Sequence, residues 1–414
     1  MRPRILLLAL SDWFGPTRLP HALQNAGFEV GLLAEPDGLI AQSRFIDYRF
    51  ALSLSHVRLG VLAPLIRVMT EFEPRLVLPC DEAAVNLLQN MATGWAGLRG
   101  PLRQLPIALS PALRELLLRS LGDARSFLLR SHRAQARKLV AAMGVPAPPS
   151  VAVPYLQVAR GFAAEHGYPV VLTRDERTGG VGARLCHDDA ELREAYTGFT
   201  EQMDAPPGLR QRLRQALWSV RTLYHLPGDL TVLPRAEPDI SVEMPVPGQL
   251  ASHSVVAYDG RALAGLSAVA EKVHPAPLGA GTVVRLVQDA EMTDIGRRLV
   301  ARSGFTGFAG LDFVRDATTG RLWFLKFTPR PTPLAHLGHL AGGDLCEALL
   351  VAVTGGFPVR QRATKETTVA LFPQDWMRDP DAVDRGAEHL DVPEDDPRLL
   401  SALMALLPHV PVAI

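Results

Sequence analysis

The first hundred residues alternate short apolar runs with segments of helical spacing, and that rhythm restricts the fold more than any other feature of the chain. "RILLLAL" (Arg4–Leu10), "FEVGLLA" (Phe28–Ala34) and "RLVLPC" (Arg75–Cys80) read as strands hidden on both faces. Arg18 to Ala26 and Val57 to Phe72 carry apolar residues at helical intervals between them. Strands alternating with helices imply a parallel sheet covered on both sides. Asp81 and Glu82 follow the third strand at the carboxyl edge, where open α/β sheets place ligands. The same pair suits the negatively charged first turn of a helix, which is the preferred reading.

Beyond this unit the texture changes. Residues 105 to 145 are helical and stop at Gly144, with prolines beyond. "YPVVL" (Tyr168–Leu172) is a strand, "RDERTGGVG" (Arg174–Gly182) a glycine-bearing loop and "ARLCHD" a returning strand, and Leu209 to Tyr224 has amphipathic helical spacing. Asp239–Gly248 and His253–Gly265 read as strands with a turn at Asp259–Gly260. "FAGLDFVRD" and "RLWFLKF" follow, joined by a hairpin loop "DATTG"; a strand "TVALFP" and an apolar helix near 399–407 end the chain.

With 414 residues, two or three packed units are expected. Lys plus Arg (43) equals Asp plus Glu (43), so no global field draws nucleic acid or an anionic membrane, and neither is an expected partner. Cys80, Cys186 and Cys346 lie far apart without metal-ligand spacing, which fits a reducing compartment. The start, "MRPRILLLAL", has a short apolar run, meets Asp12 and Trp13 at once and shows no small-residue cleavage site. A first strand and a cytoplasmic location are expected.

"LWFLKFTPRPTP" (Leu322–Pro333) holds the puzzle of the chain: an ammonium group, Lys326, in the middle of a strand that otherwise reads as buried. Taken with "HRAQARKLVAAMGVPAPP", "YPVVLTRDERTGGVG", "SVEMPVPG" and "GFAGLDFVRD", in that order, this segment resembles the ATP-grasp superfamily, whose members clamp ATP between two α+β subdomains. The resemblance runs from Pro3 to about Gly355. It implies a fold of α/β and α+β character, a Rossmann-like N-terminal domain followed by a two-lobed ATP-grasp domain. The expected divisions are 1–115 for the N-terminal domain, 116–150 for a helical linker and 151–238 for the small lobe with its glycine loop. Residues 239–360 then form the large lobe, and 361–414 a C-terminal extension.

The resemblance implies that ATP phosphorylates a small carboxylate and that an amine or thiol attacks the acyl phosphate. It places Arg133, Thr173, Arg174, Gly179, Gly180, Gly182, Glu243, Met244, Val246, Leu250 and Lys326 on the nucleotide, Asp312 and Thr328 at the metal, and Arg330 at the reacting phosphate or substrate. Glu271–Pro275 and Arg285 fall where relatives line the acceptor site; His336 is read as a packed or solvated imidazole. Four positions depart from the family pattern. Lys326 and Thr328 replace a Glu and an Asn that ligate magnesium, Thr173 replaces a phosphate-binding Lys, and Leu250 replaces an acidic ribose ligand. A protonated lysine offers a metal no lone pair. Nucleotide binding is therefore expected with a weakened or lost magnesium site; the alternative is a non-catalytic scaffold that holds a protein partner or assembles with itself.

Strand alternation puts Phe324, Lys326 and Thr328 on one face, and Trp323, Leu325 and Phe327 on an apolar core face. With an even hairpin register Asp312 joins the first set, and an Asp312–Lys326 ion pair is expected. That pair either marks a cation standing in for magnesium or fills a dead pocket; both readings stay open.

Overall fold

A computed structural model of the chain describes residues 2–52, 59–93, 109–127, 133–174, 182–204, 240–356, 366–382 and 385–407. Gly179, Gly180 and the segment Leu209–Tyr224 lie outside the described residues.

The N-terminal strands β1 (Arg4–Leu8), β2 (Glu29–Ala34), β3 (Tyr48–Ala51) and β4 (Leu76–Pro79) form a parallel sheet of order β3-β2-β1-β4. Ile5 to Leu8 are all fully buried. Alternation sends Ile5 and Leu7 into one apolar cluster and Leu6 and Leu8 into another, so helices must cover both faces. The first cluster continues into Val256, Leu266 and Leu349, which fixes this sheet against the next one.

β9 (Gly248–Tyr258), β10 (Arg261–His274), β11 (Ala280–Val287), β12 (Gly307–Asp316), β13 (Leu322–Thr328), β14 (Thr367–Ala370) and β15 (His389–Leu390) make a seven-stranded sheet. Its order is β13-β12-β9-β10-β11-β14-β15, antiparallel except for the last pair. The turn at Asp259–Gly260 joins β9 to β10, with both residues at positive φ. Strand β10 runs nine residues past Gly265 to His274, and β11 and the helix Ala290–Ser303 were not foreseen from the sequence. A smaller antiparallel sheet joins β5 (Ser150–Ala152), β6 (Val170–Arg174), β7 (Ala183–Cys186) and β8 (Ile240–Glu243) in the order β5-β8-β6-β7.

The helical stretch expected over 105–145 divides, among described residues, into helices Pro111–Leu121 and Arg133–Ala141 with a short turn Ala124–Ser126. The break falls at Gly122, where φ is +82° and an added Cβ would lie 2.0 Å from the Gly304 carbonyl oxygen. Only glycine lets this segment approach the end of the helix Ala290–Ser303 so closely. Among the described residues no helix is long and apolar enough to cross a membrane.

Candidate functional site

The two antiparallel sheets and the N-terminal unit enclose a cleft of about 740 Å³. Its floor is one face of the seven-stranded sheet. Leu250, Ser252 and Ser254 come from β9, Gly310, Asp312 and Val314 from β12, and Lys326 and Thr328 from β13. Between them Leu311 and Phe313 turn the opposite way, fully buried in the core. Gly310 is needed for space, since a Cβ there would lie 2.3 Å from the Thr332 methyl. The roof is the smaller sheet: Val171 and Thr173 from β6, and Glu243 to Val246 leaving β8. Trp13 and Phe14 close the cleft from the N-terminal unit.

Strict alternation along β13 does not hold. The β12–β13 register slips between Phe313↔Phe324 and Asp312↔Lys326, leaving Leu325 as the extra residue of a bulge. The bulge reverses parity within the strand. Phe324 therefore enters the core with Leu322 and Phe327, while Leu325, Lys326 and Thr328 line the cleft. Phe324 does not share the lysine's face, as unbroken alternation would require.

Asp312 and Lys326 sit opposite one another in register. The ion pair expected between them is not formed: among the described residues, the carboxylate within 4 Å of the ammonium is that of Glu82, at 3.9 Å. Glu82 also accepts from Arg330 Nε at 3.3 Å. It is delivered by the helix Glu82–Ala92, whose start is fixed by Asp81. The Asp81 carboxylate accepts from Ala84 N (2.9 Å), Leu10 N (2.6 Å) and Ser11 N (3.1 Å), so Asp81 caps a helix and ties down a loop. Arg330 is 3% exposed and lies over the Trp13 ring at 4.6 Å, and Trp13 Nε1 donates to Cys80 O at 3.0 Å.

Burial pushes the Asp312 carboxyl above its ordinary range, against the pull of Lys326, Arg133 and Arg330. Burial likewise lowers Lys326; Glu82 and Asp312 oppose this, and Arg133 and Arg330 add to it. Two arginines and one lysine thus converge on a site whose nearby anions are Asp312 and Glu82. A second group stands at the roof, where Glu243 pairs with Arg137 and, at 3.7 Å, with Arg133.

Every described residue that the resemblance places on the nucleotide, at the metal or at the reacting phosphate lines this cleft: Arg133, Thr173, Arg174, Gly182, Glu243, Met244, Val246, Leu250, Asp312, Lys326, Thr328 and Arg330. Thr173 Oγ1 bonds Ser241 Oγ at 2.8 Å, and an Arg174 guanidinium nitrogen donates to Phe199 O at 3.0 Å, so both are partly engaged in the roof itself. His274 and Pro275 line the cleft. Arg285 instead pairs with Glu271 and Glu366, at 2.9 Å each, in a more exposed group. His336 bonds Asp391 at 2.9 Å, and Arg18 pairs with the same carboxylate at 3.0 Å, so Asp391 ties the N-terminal unit to the segment that follows β13. Sequence reasoning missed Trp13, Phe14 and the reach of Glu82. Only the position of Glu82 at the carboxyl edge of β4 hinted at it.

The profile of the carbamoyl-phosphate synthase L chain ATP-binding domain matches residues 132–209. The biotin carboxylase domain of Hydrogenobacter thermophilus 2-oxoglutarate carboxylase, solved with MgADP, ADP and bicarbonate, superposes with a TM-score of 0.56 at 14% identity. That alignment covers 89% of this chain and 74% of the other. Campylobacter jejuni biotin carboxylase gives 0.56 at 14% identity, covering 89% and 75%, and Thermus thermophilus N5-carboxyaminoimidazole ribonucleotide synthetase gives 0.54 at 14%, covering 88% and 82%. This chain has the ATP-grasp fold. In that fold the cleft between the two antiparallel sheets lies between the lobes, and the β12–β13 hairpin with Lys326 is part of its floor.

Proposed function

We propose that this ATP-grasp protein binds an adenine nucleotide in the interlobe cleft, using side-chain cations where a divalent ion would otherwise balance the phosphates. Met244, Val246 and Leu250 would hold the base, and Lys326, Arg330 and Arg133 the phosphates. The observation that carries this reading is the place of Lys326, opposite Asp312 on the cleft floor and under the field of two arginines. Four cations, Lys326, Arg330, Arg133 and Arg137, stand against three carboxylates, Asp312, Glu82 and Glu243, so the site is short of negative charge, which a polyphosphate supplies.

The donor set does not suit magnesium. Among the described residues no three His, Cys, Asp or Glu side chains converge as a ligand group, and of the three floor positions that would carry hard ligands, Asp312, Lys326 and Thr328, one is now an ammonium and one a neutral hydroxyl. ATP, when bound, supplies the phosphoryl group that activates a carboxylate. We infer that the second ligand is a small carboxylate, as bicarbonate is in the 2-oxoglutarate carboxylase domain, and that transfer to it is slow or lost.

Replacing Lys326→Met keeps the side chain's length and removes its charge. ATP affinity by calorimetry is expected to fall at least about tenfold. An unchanged or higher affinity would mean that the lysine serves only Glu82. That contact is also what favours the second reading, a self-satisfied cleft in a non-catalytic scaffold protein, which failure of both proteins to bind ATP would support.

A further inference from the structure

The cleft is charged at one end only. From its edge the large sheet runs β13, β12, β9, β10, β11, and Lys326 and Asp312 belong to the first two strands. Among the described residues, β9, β10 and β11 bring no carboxylate, lysine or arginine to the lining; His274, at the exposed end of β10, is their one ionisable side chain there, and Val284 of β11 is apolar. With neighbouring strands about 4.8 Å apart, β11 lies about 14 Å from β12. That is far more room than a carboxylate group alone occupies.

The uncharged end is enclosed by Leu278 between β10 and β11, Leu371 just after β14, and Met377 of the short helix Gln374–Arg378. Phe14 packs there with Phe372 and Trp376. Trp13 stands at the junction, its ring 5.9 Å from Phe14 and under the Arg330 guanidinium. Hydroxyls in this region are committed elsewhere: Ser254 bonds Thr332 at 2.5 Å, and Thr282 donates to Asp375 at 2.9 Å.

We propose that this half of the cleft receives the apolar body of an aliphatic or aryl carboxylic acid whose carboxylate meets Arg330 and Lys326. The proposal rests on the reading of Met244, Val246 and Leu250 as the residues that hold the nucleotide base. An apolar compartment disfavours a second charge, because a carboxylate buried beside Leu278 and Leu371 meets no lysine or arginine among the described lining residues. It rewards each methylene removed from water. Bicarbonate leaves it unfilled, and a dicarboxylate places its far charge against hydrocarbon.

The test is calorimetric titration of the full chain with butanoate, hexanoate, octanoate, 3-phenylpropanoate and succinate, each with and without ATP. Affinity is expected to rise about fourfold per added methylene until the compartment is full. Succinate is expected to bind more weakly than butanoate. Met377→Glu, at a rim position 37% exposed, should weaken octanoate at least about tenfold and butanoate much less. If that variant does not fold, as read by circular dichroism, Leu278→Asn takes its place with the same expectation. A flat series, succinate matching hexanoate, or no acid binding in either condition overturns the proposal. A rising series without any ATP binding supports it and contradicts the nucleotide reading instead.

Discussion

Asp312 and Lys326 face each other across the β12–β13 hairpin, yet the carboxylate within 4 Å of the ammonium is Glu82, from a helix on the N-terminal sheet. The bulge at Leu325 creates this arrangement by turning Lys326 to the cleft while Phe324 stays in the core. The lysine therefore links the floor of the cleft to its N-terminal wall, and Asp312 is left facing the cleft with a carboxyl that burial makes harder to ionise.

Reversal of the two floor substitutions should restore a metal site. In Lys326→Glu/Thr328→Asn, a second carboxylate and an amide oxygen join Asp312, the hard oxygen set that magnesium prefers. Nucleotide affinity should become magnesium-dependent, by about tenfold or more between magnesium and chelator. Equal affinity in both conditions, with the circular dichroism spectrum intact, would mean that these positions do not share one ligand site.

Glu82→Gln removes the anion that Arg330 and Lys326 now share. Arg330 is almost fully buried and loses a charged acceptor, so unfolding in urea should show a loss of about 1–3 kcal/mol. ATP should bind several-fold more tightly, because a competing carboxylate is gone. Weaker ATP binding together with unchanged stability would assign Glu82 to holding a ligand.

Stability should fall on mild acidification through His253. This imidazole is 2% exposed and bonded to Ser267 Oγ at 2.8 Å. It fits between Gly265 and Gly296, where added Cβ atoms would come within 2.6 and 2.8 Å of the ring. Burial lowers its pKa from 6.5 to about 4, against a small opposing pull from Asp289. Below pH 6.5 the unfolded chain takes up a proton that the folded chain refuses, so this contribution is complete above 6.5 and drains away as pH falls toward 4. About 2 kcal/mol should be lost between pH 7 and pH 5 by this group alone. Urea unfolding of wild type and His253→Asn at both pH values isolates it; equal pH dependence in the two proteins would show that His253 does not resist protonation.

Much of the architecture was legible because its signals are local. Apolar runs such as Ile5–Leu8 must be covered on both faces, and Asp259–Gly260 suits a two-residue hairpin turn. That Asp312, Lys326 and Thr328 share a face also followed from spacing, whereas the places of Phe324 and Leu325 did not. What failed was non-local or depended on one irregular residue. The bulge at Leu325 inverted strand parity and moved Phe324 to the core, since nothing in "FLKF" announces an extra residue. The ion pair went to Glu82, 244 positions earlier, because its helix is aimed by Asp81 rather than by any pattern shared with β13. Trp13 and Phe14 were hidden for the same reason: their part in the cleft comes from how two sheets meet.

The central claim is that protein cations do a metal's work opposite the phosphates. The most direct test is calorimetric titration of the wild-type chain with ATP, once with magnesium and once with chelator. The account predicts measurable binding in both, with dissociation constants within about twofold of each other. Binding seen only with magnesium would contradict it.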